Sequence, residues 1–383
     1  MNATKTPAEY SFVQNPIVFV FTSDSDAMKT FTVTFAGKSF QLSSYPFQVD
    51  NIYKLSLDIS DLLRNLLRPT YDATATHQVG LTDFVQEYQV TEATTNYSFT
   101  GKVIPGGLSK EYQKYLIKEG TDAFAFRFLN PLANFLFTTR TDSNVMTLSR
   151  KELACMFFLS PSADQISVLT DKGDKLILQT AVAGIPCMVN LPVWLESLPD
   201  SGSVNTVFFC ANDIKVIKIN IIDRFSEESY LLKFRNSLGA YEFLEVTGKG
   251  NRAPVAGDDN SYNVFDEDIQ DFKKARPRVA STDVKTVETG YKSTEELYFI
   301  GDLLSSNAIW FIDDQRKQKC TVTSENYQHA LRQVTPESIT LKVTPVTTEF
   351  FFSPMIDINT IYQILATEED EYILTNDNYM IGV

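Results

Sequence analysis

The sequence predicts a mainly β chain: two tandem β-sandwich-like domains related by duplication, then a small α+β domain and a C-terminal hairpin tail. Three observations predict it. Aromatic residues, which favour pleated surfaces, are abundant, with 28 Phe and 17 Tyr among 383 residues. Apolar and polar residues alternate with period two in one run after another, most clearly in YLLKFRNSLGAYEFLEV at 230–246. A strand followed by a short helix recurs at a separation of about 132 residues, long enough for a duplicated domain and too long for a solenoid repeat.

In chain order, NPIVFVF (15–21) and FTVTF (31–35) read as strands, with Gly37 in a turn. The run 52–67 begins as a strand, then places Ile59, Leu62, Leu63 and Leu66 at helical spacing. Asp58 or Ser60 is suited to cap that helix, and Pro69 stops it. In the second copy 188–198 falls on 56–66, so Asn190 answers Asp58 and Pro192 sits in the first helical turn. ISVLTDKGDKLIL answers FTVTFAGKSF. Further on, Tyr97 falls on Tyr230 and Gly106 on Gly239, which matches DFVQEYQV and NYSFTGKVI with IKVIKINII and SYLLKF. Shared strand patterning alone can mimic part of such a match; the helix with its preceding strand is its most specific piece. The first copy carries an insert, SKEYQKYLIKEG (109–120), before AFAFRFL (123–129), where the second leads straight into AYEFLEV. The insert reads as a helix over 110–118 or as a projecting arm.

Runs 230–235 and 241–246 form a hairpin across Asn236, Ser237 and Gly239, and Gly239 is free to take positive φ. Residues 251–280 turn polar and acidic, with Asp258, Asp259, Asp266, Glu267, Asp268 and Asp271, and read as a linker. A strand at 284–289 follows, then a capping box of Ser293 and Glu296 opening a helix with Leu297, Ile300, Leu303 and Leu304 on one stripe. Strands at 308–312, 320–326 and 338–352 complete the unit, and IYQIL and EYILTNDNYMIGV form the tail, with a turn at Asn376-Asp377. The organisation is thus 1–130 first sandwich with its helical insert, 131–250 second sandwich, 251–280 linker, and 281–383 small α+β domain with tail.

Chemistry is harder to find than architecture. A net charge of -14 and a pI near 4.7 argue against a nucleic-acid groove and against docking on anionic lipid. No run approaches the ~20 apolar residues of a membrane span, and the first residues lack the pattern of a signal peptide, so synthesis in a cytoplasm is expected. Cys155, Cys187, Cys210 and Cys320 are scattered and read as buried reduced thiols. His77 and His329 each lack a second ligand nearby, which excludes a zinc or triad pattern. Gly106-Gly107 is a turn rather than a phosphate loop. The acidic run 258–271 lacks calcium-loop spacing and reads as a solvated loop. Trp194 and Trp310 lie in apolar stripes and read as core rather than as sugar platforms. No residue is therefore assigned a catalytic, cofactor or metal role, and the chain is expected not to be an enzyme.

Two blocks carry a resemblance: YLLKFRNSLGAYEFLEVTG and TVETGYKSTEELYFIGDLLSSNAIWFI. With the early Asn15-Pro16 strand and the strand-then-short-helix run that ends in Leu66-Leu67, they resemble a family of virion structural proteins of phages and prophages of Bacteroidetes. Its members look alike in an F-x-N-S-L-G-x-Y-E hairpin and a later T-G-Y segment before a helix with Leu-Leu-x-S. Arg235 departs from that pattern, standing where a large apolar residue is expected, and the first copy carries IPGG in place of N-S-L-G. The resemblance implies a non-enzymatic component of the tail, baseplate or neck, located in the virion, without cofactors. Its partners would be other virion subunits and further copies of itself in a ring or multimer, with no nucleic acid and no membrane insertion. The alternative is a carbohydrate- or cell-surface-binding adhesin module that meets a host surface glycan; a hydrolase on a β scaffold is the third reading.

Overall fold

A computed structural model shows a mainly β chain with several sheets in sandwich-like arrangement and few helices. It describes residues 1–67, 70–81, 84–119, 121–161, 165–224, 226, 228–256, 262–268, 270–275, 281–313, 317–324, 327, 337–346, 372–374 and 380–382. The chain forms two compact units, Met1–Arg252 with Val284–Val346, and Ala253–Asp283 with Thr347–Val383.

The larger unit opens with β1 (Asn2–Lys5), β2 (Tyr10–Phe12), β3 (Val18–Ser23), β4 (Lys29–Phe35), β5 (Lys38–Ser44), β6 (Phe47–Val49) and β7 (Ile52–Asp58). Helix α1 (Ser60–Leu66), β8 (His77–Val79), β9 (Gln86–Glu92) and β10 (Tyr97–Ile104) follow. One sheet has the order β1-β3-β7-β6 and the other β2-β10-β9-β4-β5. Their alternating residues meet between the sheets: Phe19 and Phe21, Leu55 and Leu57 from one side, Phe31, Val33, Phe35, Tyr88 and Val90 from the other. Thr30, Thr32 and Thr34 of β4 and Glu87, Gln89 and Thr91 of β9 occupy the outward positions, which is why period two reads so plainly in these strands.

After α2 (Lys110–Glu119) and α3 (Thr121–Phe128) come β11 (Val145–Ser149), β12 (Cys155–Leu159), β13 (Gln165–Thr170), β14 (Lys175–Gln179), β15 (Pro186–Asn190), α4 (Leu191–Glu196), β16 (Thr206–Ala211) and β17 (Ile214–Ile222). The larger sheet runs β11-β17-β16-β13-β14, which repeats β2-β10-β9-β4-β5 position for position. Even the exceptional pairing is repeated: β10 runs parallel to β2, and β17 parallel to β11. In the smaller sheet β12 pairs β15 as β3 pairs β7, and α4 follows β15 as α1 follows β7. The two copies thus share one strand order. They differ at an edge, for β15 pairs next with β8, a strand lent by the first copy's connection between α1 and β9.

That match corrects one part of the sequence alignment. Strands β9 and β10 correspond to β16 and β17, not to β17 and the 230–235 strand. All half-buried strands share period two, so an alignment slips by a whole strand at little cost in pattern. The displaced hairpin belongs elsewhere. Strands β18 (Ser229–Arg235) and β19 (Tyr241–Ala256) join β22 (Ser281–Lys292), β23 (Ile309–Ile312), β24 (Lys317–Ser324) and β25 (Glu337–Pro345) in a closed barrel of order β18-β19-β22-β25-β24-β23. Between them in sequence lie β20 (Tyr262–Asp266), β21 (Asp271–Ala275) and α5 (Thr294–Ser305). A boundary at residue 250 would therefore cut the barrel through β19. Leu297, Ile300 and Leu303 of α5 pack with Leu232, Phe234, Leu244, Phe311 and Leu341 in the barrel core. The capping box of Ser293 and Glu296 is formed as expected.

AFAFRFL is helical, not a strand. Phe124 and Phe128, one turn apart, are buried, while Phe126 between them is 70% exposed. In a strand all three would share one face. The insert is helical over Lys110–Glu119, as α2. In the smaller unit the described part of 251–280 includes a two-stranded hairpin, β20 with β21, rather than a featureless linker. The tail forms β26 (Tyr372–Leu374) paired with β27 (Met380–Gly382). IYQIL and the Asn376-Asp377 turn lie outside the described residues.

Candidate functional site

The hairpin residues that carry the resemblance lie at one place, the joint between the sandwiches and the barrel. The hairpin turn after β18 is built by its own side chains. Asn236, buried, accepts from the Ala240 N–H at 2.9 Å and donates through Nδ2 to the Phe137 carbonyl (2.9 Å) and to Glu242 Oε2 (2.7 Å). Asp302 of α5 accepts from the Ser237 N–H (2.9 Å) and from the Ser237 hydroxyl. Leu238 is buried in a cluster with Phe12, Ile104, Phe128 and Phe137, contributed by the sandwich side. Gly239 takes φ +88, as expected, and its position leaves no room for a side chain: a Cβ would lie 2.6 Å from the Pro105 carbonyl oxygen. Gly106 faces it across the same contact, where a Cβ would lie 2.3 Å from the Ser237 oxygen, and Gly107 N–H donates to that oxygen at 2.6 Å. The two glycines aligned as repeat equivalents are partners in space.

Beside this turn lies a buried ionic cluster. Arg140, 2% exposed, reaches Glu152 at 3.4 Å, donates to the Phe243 carbonyl and lays its guanidinium 4.1 Å from the Phe299 ring centroid. Glu152, from a single 3-10 turn at Arg150–Glu152, also accepts from Ser149 N–H and Glu245 N–H, both at 2.9 Å. Burial pushes its carboxyl up, but Arg140, then Lys292, and those two backbone donors outweigh that and hold it below the usual range. Lys292, 1% exposed, is held below the usual lysine range by burial, against the pull of Glu152 and Glu296. Glu242 is half-buried as a residue, but its carboxyl is desolvated and pushed up, although it accepts from Thr138, Thr139 and Asn236. Thr139 bridges on to Asp302 (2.8 Å) and Thr141 to Glu295 (2.9 Å), tying the segment before β11 to α5. Such a cluster is costly to leave half-paired, so it specifies how the parts meet more than it stabilises them.

The remaining signature residues are spent in the same way. Thr289, fully buried, accepts from Ile339 N–H at 3.0 Å, next to Gly290 at φ +69. Ser306 donates to the Arg235 carbonyl at 2.8 Å, fixing the end of α5 on β18.

Elsewhere the sequence candidates behave as structural groups. Trp194 is 5% exposed in the second sandwich core. Trp310 sits on the outer barrel surface, 5.7 Å from the Tyr241 ring, so its reading as core does not hold. The even positions of β23 point outward, which an isolated IWFI run does not reveal. Half-buried His77 contacts the Thr76 hydroxyl at 3.2 Å, and His329 lies outside the described residues. The cysteines are free thiols, pushed up by burial to about 11 at Cys155 and about 12 at Cys187 and Cys320. Of the acidic run, Asp258 and Asp259 lie outside the described residues, and Asp266 pairs with Lys273 at 2.6 Å. Among the described residues no group of three or more His, Cys, Asp and Glu could hold a metal ion. No described helix is long and apolar enough to cross a membrane.

Two cavities were candidates for a small ligand. One, about 20 Å³, lies at the joint between Arg140, Glu152 and Glu242, with room for about one water. The other, a cleft of about 540 Å³, is lined by Lys5, Tyr10, Phe12, Asn15, Gln113 and Phe124. Its Asn15, Tyr10 and Phe124 are already engaged. Asn15 exchanges two hydrogen bonds with the Leu108 backbone, and the Tyr10 ring is stacked on Phe124 at 4.7 Å with Lys102 over it at 4.8 Å.

Comparison with known proteins adds little. No family model matches the chain. No curated protein matches it. A solved structure of a 1.5-MDa bacterial ice-binding adhesin is 8% identical, covering 89% of this chain and 95% of that one, with a TM-score of 0.16. The extracellular region of plexin A4 is 10% identical, covering 88% of this chain and 35% of that one, also with a TM-score of 0.16. At such scores neither likeness carries an argument.

Proposed function

We propose that the chain is a non-enzymatic structural component of a phage particle, in the tail, baseplate or neck, working among further copies of itself and other virion subunits. The observation that carries this reading is the use of the signature residues. Asn236, Ser237, Gly239 and Glu242 are engaged in closing the joint, while Thr289 and Ser306 hold the barrel's own strands and helix together. A signature spent on holding shape suits a part whose work is to present surfaces to neighbours. Surfaces of that kind are present: Tyr45, Phe47 and Ile52 are exposed around the β6–β7 edge, and Tyr262, Phe265 and Phe272 on the β20–β21 hairpin. Exposed apolar edges of this sort are usually covered by another chain.

The test is made on particles purified from a bacterium that carries the gene. Mass spectrometry and gold-labelled antibody should find the chain in the particle, and deletion of the gene should yield particles lacking one part. Complete particles that neither contain nor need the chain would contradict the proposal. Specific glycan binding by such a chain would move it to the surface-binding class.

A further inference from the structure

The outer face of the barrel carries a surface unlike the rest of this acidic chain. Trp310 of β23 lies opposite Lys233 of β18 on one side and Lys319 of β24 on the other. Lys317, one step along β24, places its ammonium 5.5 Å from the Trp310 ring centroid, and Lys233 places its own 4.7 Å from that of Tyr241. Arg235 continues the outward row of β18, at the position where the sequence departs from the apolar residue of its look-alikes. In a chain with 48 Asp and Glu, strands β18, β23 and β24 contain none. None of the four cations forms an ion pair among the described residues. Like charge is thus held together without a counter-ion among the described residues. The Lys233 ammonium is held below the usual lysine range first by burial and then by Lys317. Cations beside aromatic faces, with no ion pair among the described residues, are arranged to receive an anionic group together with an apolar or aromatic one.

The smaller unit supplies such a combination. The β20–β21 hairpin ends in Asp266, Glu267, Asp268 and Asp271, with Phe265 and Phe272 exposed beside them and their rings 5.5 Å apart. A two-stranded hairpin is marginal by itself and gains most from a partner surface. We infer that the Trp310 face of one copy receives the acidic, aromatic tip of the β20–β21 hairpin of a second copy. The contact is heterologous, one patch against a different one, so it propagates from copy to copy and closes when the rotation allows a ring. It rests on the structural reading above by naming which surfaces make the assembly. A nucleic-acid strand would also find cations and a Trp to stack on, but a net charge of -14 disfavours its approach.

The experiment follows self-association of the purified full chain by sedimentation velocity, with two charge reversals, K317E/K319E on the face and E267K/D268K on the hairpin. All four side chains are exposed, so thermal melting should be unchanged in both variants. The wild type should associate in a salt-sensitive way, and each variant should associate about tenfold or more weakly. Mixing the two variants should restore association, because the reversed charges then face each other across one interface. The inference is overturned by a wild type that stays monomeric to about 100 μM, by variants that associate like the wild type, or by a mixture that does not recover. It is overturned equally if the wild type binds an oligo-dT strand and K317E/K319E loses that binding while self-association is unaffected. Charge-reversal rescue without incorporation into particles would sink the virion reading alone; incorporation with no effect of charge reversal would sink this contact alone.

Discussion

The two sandwiches have the same strand order and opposite degrees of independence. The first completes its smaller sheet with its own β6 on β7. Among the described residues the second has no strand of its own there and takes β8 from the first. Nor is the borrowed strand in the same register. It pairs with residues 187–189, equivalent by the 132-residue offset to 55–57, whereas β6 pairs with 52–54. An edge strand contributes mainly backbone pairing, so its source and register are free to change while the five strands of the larger sheet keep their order. Such lending ties the two like sandwiches together within one compact unit.

The first copy also ends differently, against the barrel instead of flowing into it, and the largest effects are expected there. Gly106→Ala and Gly239→Ala should each cost about 2–5 kcal/mol, from positive φ and from a Cβ driven into backbone. The double variant should cost clearly less than the sum, because both break one contact; additive urea midpoints would show two separate contacts. Arg140→Met should cost about 3–5 kcal/mol by leaving Glu152 buried and half-paired. A loss under 1 kcal/mol in the same melts would remove the ionic cluster from the account of the joint.

Next in size are the helix starts. Asp58 accepts from Ser60 N–H (2.9 Å) and from Ile17 N–H (3.1 Å), all within its own copy. Asn190 caps Val193 at 3.5 Å, and also donates to the Ala73 carbonyl of the first copy at 2.7 Å. Either change to Ala should cost about 1 kcal/mol. Only Asn190→Ala should also loosen residues 73–79, seen as faster amide exchange there. The smallest effects should be equal in the two copies: Gly37→Ala and Gly173→Ala sit in matching turns at φ +72 and +97 with open space around them, and should each cost about 1 kcal/mol.

The cluster predicts opposite pH limbs. Glu152, held below its ordinary value, contributes stability that is full above the unfolded pKa of about 4.3 and lost as pH falls through its folded value. Glu242, held above, contributes stability present below about 4.3 and lost as pH rises through its folded value. Urea midpoints against pH should therefore lose part of their acid fall in Glu152→Gln, and part of their decline toward neutral pH in Glu242→Gln. Identical profiles would show that neither carboxyl titrates differently on folding.

Much of this architecture was legible in the sequence, for identifiable reasons. Period two in FTVTF and KLIL marked half-buried strands, and Asn190 marked the start of α4, because both signals are local; the N-cap of α1 is instead Ile59, which makes no side-chain cap bond, one residue after Asp58. The barrel was not legible, since its first two strands and its last four are separated by residues 257–280 and nothing local records that they close on each other. The joint was visible only as a motif: N-S-L-G announced a turn, while the partners of Asn236 and Ser237 lie 99 and 65 residues away. The cationic face was hidden by averaging, because a net charge of -14 conceals three strands without a carboxylate.

The dependence of the second sandwich on the first is tested most directly at Gln78. The N–H of Asn190 donates to Thr76 and that of Gly80 to Pro186, so the register puts Gln78 and Met188 in the same hydrogen-bonded class. Gln78→Pro removes that donor without touching either core. In the full chain, hydrogen exchange read by mass spectrometry should show protection falling in β12 and β15 while β3 and β7 keep theirs. Unchanged protection in β15, or an equal loss in β7, would contradict a second sandwich completed by a strand of the first.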